Sequence, residues 1–195
     1  PLGGIGKRFK NNEYNEPKGL IKIFGRPMIF YLIDCLNIEN INFIYIPYNK
    51  EYQKYRFEDL LRKEYPNILF KFLCLKNNTG GVADTLKIAF ENLNIDDQPV
   101  LSLDGDNFFS NDIVKLWNGQ DMVLTQTDNS NLECFSFIKV DDNDYISDIV
   151  EKKRISNLAS VGCYGFSSYK KLLYNCQEVI KKNLKFKNEF YISNV

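Results

Sequence analysis

Residues 3–8 read Gly-Gly-Ile-Gly-Lys-Arg, which sets Gly3, Gly4 and Gly6 beside two cations. Glycines let backbone N–H groups approach a polyphosphate, and Arg8 can neutralise part of its charge. Lys18 is a further cation, in Pro17-Lys18, ahead of a short apolar run and Gly25-Arg26-Pro27-Met28-Ile29. Much later the apolar stretch Pro99–Leu103 runs into Asp104-Gly105-Asp106. A carboxylate at a strand end can hold a divalent cation. Together these are the parts of a site for phosphoryl chemistry on a nucleotide. The chain contains no histidine, so a Ser-His-Asp triad and a histidine base are both excluded. Acid chemistry or metal-plus-cation electrostatics must carry whatever reaction there is.

The glycine loop does not fit two better-known patterns. A dinucleotide fingerprint needs an acidic residue about 20 positions on, where this chain has Lys22, Ile23 and Phe24. A Walker loop needs Gly-Lys-Ser/Thr, and Gly6-Lys7-Arg8 departs from it. What remains suits a triphosphate whose pyrophosphate must depart, or else an ordinary glycine-rich turn. Asp104 and Asp106 read either as ligands beyond a strand's carboxyl end or as a solvated turn. Glu151-Lys152 opens the charged run to Arg154, and a solvated turn is an equal reading there.

The elements that must position these residues are visible as periodicity. Ile29, Leu32, Ile33 and Leu36 follow the helical rule after Pro27, as do Phe57, Leu60, Leu61 and Tyr65 before Pro66. Val82, Leu86, Ala89, Phe90 and Leu93 predict a third helix behind Thr79-Gly80-Gly81. Tyr169, Leu172, Leu173, Cys176, Val179 and Ile180 predict a fourth, capped by Ser167 or Ser168. Between them lie strand-like runs at 42–46, 68–74, 99–103 and 122–125. This alternation predicts an α/β sheet, mostly parallel. After Thr125 the runs 132–140, 145–150 and 161–166 follow with little helix between, which predicts a β-rich lid appended to the sheet.

Composition bounds the rest. The 195 residues read as one domain spanning 1–195, with 44% apolar content and 25 basic against 25 acidic residues. Zero net charge argues against a general affinity for nucleic acid. No apolar run approaches membrane-spanning length, and no signal peptide is visible. The five cysteines have no CxxC spacing, which favours a reduced, cytoplasmic setting. Only Pro1 and Leu2 precede a loop that normally follows a strand, and Glu189–Val195 stops where a further element begins. The chain therefore reads as an excerpt lacking its first strand and its C-terminal end.

Taken in order, the motifs resemble the sugar-1-phosphate nucleotidyltransferases, the pyrophosphorylases that make nucleotide sugars. The family's GGxGxR, PKxL and GxPMI correspond to Gly3–Arg8, Pro17–Leu20 and Gly25–Ile29. Its G-T-A-D-like turn and its G-D-N correspond to Gly81–Asp84 and Gly105–Asn107. Its E-K-P, T-G-x-Y and E-x-x-I-T-D correspond to Glu151–Lys153, Val161–Tyr164 and Glu189–Asn194. The resemblance implies a Rossmann-like three-layer α/β/α fold with a mixed, mostly parallel sheet and a β-rich lid on the sugar side. It implies an NTP, a phosphorylated acceptor such as a sugar 1-phosphate, and a magnesium ion (Mg²⁺). On that resemblance Gly3, Gly4, Gly6 and Arg8 hold the triphosphate, Lys18 contacts the phosphates at the reacting centre, and Gly81 lets the chain approach the base. Asp106 binds the metal, Glu151 takes sugar hydroxyls, Lys152 binds the acceptor phosphate, and Gly162 lines the sugar pocket.

The departures bear on the acceptor. Lys153 stands where the family has Pro, Val161 replaces Thr and removes a hydroxyl, and Gly19 follows Lys18 in place of Pro or Gln. A cytidylyltransferase for a non-sugar phosphate such as phosphocholine is therefore an alternative. A non-catalytic homologue that binds nucleotide sugar is another, and an oligomer is compatible with all three.

Overall fold

The structure, a computed structural model, describes residues 1–4 and 15–195. The expectations for Gly6 and Arg8 lie outside the described residues. The chain divides into two compact units, one of Pro1–Thr79 with Asp104–Asn118 and one of Gly80–Leu103 with Gly119–Val195.

In the first unit the strand pair β1 (Lys22–Ile23) and β2 (Arg26–Pro27) forms a tight antiparallel turn with Phe24 and Gly25 at positive φ. Pro27 then leads into the helix Met28–Asp34. That helix buries Ile29, Leu32 and Ile33, as the spacing predicts, buries Phe30 besides, and ends before Leu36. β3 (Ile44–Asn49) and β4 (Phe70–Leu75) pair in parallel, with the helix Phe57–Glu64 between them in sequence. A parallel pair requires such a crossover. This helix carries Glu58 and Asp59 in its first turn and Arg62 and Lys63 in its last, the arrangement that complements its dipole. Its Phe57 and Leu61 are fully enclosed, which stabilises the unit by about 1.5–3 kcal/mol each. Tyr48, Tyr52, Phe57 and Phe72 form one aromatic cluster beneath β3. Leu2 adds to the ladder by a parallel bridge to Tyr48.

The second unit is organised by one long strand. β5 (Val100–Leu103), β6 (Met122–Thr127), β7 (Ser136–Val140), β8 (Ile146–Glu151) and β9 (Leu158–Phe166) make a five-stranded antiparallel sheet. Gly165 of β9 stands opposite both Leu101 and Met122, and Ala159 opposite both Gln126 and Phe137. β9 therefore serves β6 along one edge and β5 and β7 along the other. The helices Val82–Glu91 and Tyr169–Lys181 pack together over Ala83, Leu86, Phe90, Leu172, Cys176 and Val179. Ser168 caps the second helix by accepting from the Lys171 N–H at 3.0 Å, one of the two caps expected.

The α/β class and the mixed sheet agree with the sequence reading; the expected parallel majority does not. Among the described residues, parallel pairing is confined to β3–β4 and the Leu2 bridge. β9 runs antiparallel to β5, β6 and β7 alike, so the five-stranded sheet holds no parallel pair. The β-rich second half is hydrogen-bonded into that same sheet. Cys163 and Cys176 are buried, Cys35 and Cys74 are half-buried, and Cys134 is exposed. No helix among the described residues is long and apolar enough to cross a membrane.

Candidate active site

In the first unit three segments meet around the Leu2 side chain. A Cβ placed on Gly105 would run into Leu2, and one on Gly19 would lie 3.5 Å from Leu2 Cδ2. The start of the glycine loop, the Pro17-Lys18-Gly19 turn and the Asp104-Gly105-Asp106 turn are thus gathered by one buried leucine. From this arrangement the Lys18 ammonium and the Asp106 carboxylate form a direct ion pair across 88 residues of sequence. Each side chain is about one third exposed, 35% and 34%. A cation and an anion presented together beside Leu2, where the glycine run starts, can meet a metal-bound polyphosphate, the lysine taking phosphate oxygens and the aspartate the metal.

The supports of this pair carry no short motif. Tyr52 is almost wholly buried, and its hydroxyl accepts from the Gly19 N–H at 3.1 Å. Burial pushes the Tyr52 phenol up to about 12, so it stays a neutral hydroxyl. A Cβ at residue 19 would sit 3.1 Å from that hydroxyl, which accounts for Gly19 where the family usually has a larger residue. Asn49, also buried, donates to Asn78 Oδ1 at 2.9 Å and reaches the Gly3 carbonyl at 3.5 Å, and its Oδ1 accepts from the Glu51 N–H. Gly4 has open space around it, so packing within the described residues does not require a glycine there.

Among the described residues, no group of three or more His, Cys, Asp or Glu side chains is arranged to hold a metal. Asp106 can supply one carboxylate. That number fits Mg²⁺, which commonly uses one or two carboxylates and completes its shell with substrate phosphates and water.

The second unit holds the remaining candidates. Gly81 has φ +136°, and a Cβ there would lie 2.5 Å from the Phe190 carbonyl oxygen and 2.6 Å from the Phe190 nitrogen. Only glycine fits this position, for reasons internal to the unit. Gly81→Ala should therefore lower the stability of the protein by about 1–3 kcal/mol. Gly80→Ala should be milder, because Gly80 has no positive φ and a Cβ there would meet the Phe190 ring at 3.2 Å, not backbone at 2.5 Å. Denaturant midpoints of the two variants check the difference, and equal midpoints would contradict it.

Glu151 ends β8 and is 8% exposed. Its Oε2 accepts from the Ser136 hydroxyl and, at 3.1 Å, from Ser193, and its Oε1 lies 3.4 Å from the Lys152 ammonium. A buried carboxylate needs such partners. Here its own chain supplies them, whereas the family resemblance assigns Glu151 to sugar hydroxyls. Lys152 adopts a left-handed backbone, φ +51°, with its N–H donating to the Phe135 carbonyl at 2.9 Å. Its ammonium donates to the Tyr191 hydroxyl at 2.5 Å and lies over the Tyr191 ring at 4.4 Å. Gly162, φ +73°, sits in a bulge of β9: Val123 stands opposite Tyr164 but Thr125 opposite Ser160. Ser160 spans the bulge, accepting from the Gly162 N–H and donating to the Tyr164 hydroxyl. Bulges of this kind often re-aim a strand beside a binding site.

The structure thus pairs Lys18 with Asp106 in one unit and Glu151 with Lys152 in the other. The sequence reading did not single out Leu2, Asn49, Tyr52, Ser136, Tyr191 or Ser193. Only the last two had a signal, as members of the Glu189–Asn194 run.

Residues 2–190 match the nucleotidyl transferase family. The chain belongs to that family. Among curated relatives of nucleotidyl transferases it is 27% identical, over 172 residues and 85% of its length, to a bifunctional sugar-1-phosphate nucleotidylyltransferase/acetyltransferase of Sulfurisphaera tokodaii. It spans 39% of that relative's length. Among solved structures it shares its fold with the nucleoside-diphosphate-sugar pyrophosphorylase from Vibrio cholerae RC9, at a TM-score of 0.83 and 19% identity, covering 100% of this chain and 83% of the other. The inositol-1-phosphate CTP transferase from T. maritima has a TM-score of 0.72 at 16% identity, covering 98% and 75%. These likenesses place the whole chain in the Rossmann-like nucleotidyl transferase fold.

Proposed function

We propose that the chain carries the transfer chemistry of an enzyme that joins an NTP to a sugar 1-phosphate and releases pyrophosphate. A phosphate oxygen of the acceptor attacks the α-phosphorus and forms the new P–O bond. The bond from that phosphorus to the oxygen bridging to the β-phosphate breaks, and its electron pair leaves with pyrophosphate. No proton need be abstracted, because the attacking phosphate oxygen is already ionised, and this suits a chain with no histidine. Lys18 neutralises phosphate charge at the reacting centre, and Arg8 steadies the departing pyrophosphate. Asp106 would hold a divalent cation, Mg²⁺ in this reading, which neutralises charge on the polyphosphate when bound. Gly3, Gly4 and Gly6 offer the backbone to the triphosphate, and Gly81 lies on the base side. Lys152 binds the acceptor phosphate, Glu151 takes sugar hydroxyls, and Gly162 lines the sugar pocket.

The observation that carries this reading is the Lys18–Asp106 pair at the head of the glycine loop in a member of this family. The same pair favours a catalyst over a non-catalytic nucleotide-sugar-binding homologue. We assign the protein to the cytoplasm on its free cysteines.

A second reading has one observation in its favour. The Lys152 ammonium lies over Tyr191 at 4.4 Å and within 5.9 Å of the Phe186 ring centre, with the Glu151 carboxylate adjacent. Aromatic faces with a carboxylate are the surroundings a quaternary ammonium selects. An acceptor such as phosphocholine with CTP is therefore the competing substrate pair. Pyrophosphate release by the full-length protein, measured with the common NTPs against hexose 1-phosphates and phosphocholine, decides between them. Turnover of hexose 1-phosphate supports the first reading, and turnover of phosphocholine alone replaces it with the second.

A further inference from the structure

The run Phe190–Asn194 alternates in burial, and the alternation gives its two faces different partners. Phe190 and Ile192, 8% and 7% exposed, are part of the unit's hydrophobic core. Tyr191 and Ser193 are turned instead onto the end of β8. There the Tyr191 hydroxyl accepts from the Lys152 ammonium at 2.5 Å and the Ser193 hydroxyl donates to Glu151 Oε2 at 3.1 Å. The same run is fastened at its start to the glycine turn. The Phe190 N–H donates to the Gly80 carbonyl at 2.8 Å, and the Phe190 carbonyl accepts from the Ala83 N–H at 3.1 Å.

We propose that Tyr191 and Ser193 are positioning residues that hold the Lys152 ammonium and the Glu151 carboxylate for the phosphorylated acceptor. The proposal rests on the reading of Lys152 as the acceptor-phosphate ligand. Lys152 needs such a hold. Its left-handed backbone is uncommon for a residue with a side chain, and a long flexible lysine would otherwise sample many rotamers. Tyr191 removes that freedom in two ways, by a hydrogen bond and by presenting its ring to the ammonium. The groups facing Lys152 are Tyr191, the Glu151 carboxylate and, beside Tyr191, Glu189. Burial pulls the Lys152 ammonium down, but Tyr191 and Glu151 outweigh it and leave it above the ordinary lysine value. Lys152 thus remains a full cation for an incoming phosphate. Ser193 and Ser136 do the complementary work on Glu151, sharing one oxygen and leaving the other towards Lys152.

The test uses Tyr191→Phe, Tyr191→Ala and Ser193→Ala in the full-length protein. Tyr191→Phe keeps the ring and removes the hydroxyl. It should raise KM for the acceptor about tenfold, as expected for one lost hydrogen bond to a charged group, and leave KM for NTP within about twofold. Tyr191→Ala should raise the acceptor KM further, and Ser193→Ala should raise it less. Equal rises in both KM values, or no rise in either, would overturn the proposal. A second measurement needs no turnover. In protein carrying ¹³C at the lysine ε-carbons, with the Lys152 signal assigned by Lys152→Arg, NMR titration of unliganded Tyr191→Phe should show Lys152 losing its proton at lower pH than in wild type. An unmoved titration overturns the proposal even if wild type transfers nucleotide to no phosphorylated acceptor, a result that would instead defeat the underlying reading.

Discussion

Asp106→Asn removes nearly all turnover, by a factor on the order of 10³ or more, while metal-free NTP binding changes little. The amide keeps the size of the carboxylate and its fit in the turn after β5, so the loss reports charge. Asp106 is placed by two unrelated contacts, the packing of Gly105 on Leu2 and the ion pair with Lys18. Neither requires a negative charge on a metal, so a wild-type rate in Asp106→Asn at saturating magnesium would end its assignment as the metal ligand. Asp104→Asn provides the comparison. It lies on the same turn but is not the residue matching the family's G-D-N, and its effect should be much smaller. The measurement is pyrophosphate release as a function of magnesium concentration for the three proteins.

The second large effect concerns the partner of Asp106. Lys18→Ala should reduce kcat by about 10²–10³, the usual consequence of losing one preorganised charge at a centre where negative charge develops. If only KM for NTP rises, Lys18 binds ground state and transition state equally and its catalytic role is wrong. Because Lys18 and Asp106 touch, the double variant should fall well short of the product of the two single effects. Arg8→Ala should fall in the same range, and Arg8→Lys should rescue it only in part, since an ammonium does not reproduce a bidentate guanidinium grip.

What was legible in the sequence was what short-range patterns encode. The helices around Leu32, Leu61, Leu86 and Leu172 were visible because one apolar face repeats at helical spacing, and their ends were marked by Pro27, Pro66, Gly81 and Ser168. Lys18, Asp106, Glu151 and Lys152 were visible because glycine, proline and strand ends fix the backbone around them. The direction of β9 was not visible. A buried strand reads alike whether its neighbours run with it or against it, and the choice is made by partners more than thirty residues away, such as Leu101 and Met122. Nor were the residues that hold the charged pairs. Tyr52 meets Gly19 across 33 residues, Asn49 reaches Gly3 across 46 and Tyr191 meets Lys152 across 39, and no local pattern records such meetings. The motif residues declare themselves by type and spacing, but the residues that aim them do so only once the chain has folded.

The position of β9 also sets the order in which the second unit can be made. β5 and β6 have their only described ladders with β9, and β7 pairs with it besides its own hairpin with β8. As the chain leaves the ribosome, Val100–Leu103 and Met122–Thr127 are synthesised well before Leu158–Phe166. During that interval the strand that they pair with among the described residues does not yet exist, and an unpaired strand edge is open to other chains. Closing the sheet then means bringing together segments about sixty residues apart, which is slow compared with forming the β7–β8 hairpin. Solubility during synthesis therefore depends on how promptly one nine-residue strand arrives, and substitutions in β9 should reduce yield more than equally buried substitutions in the helices.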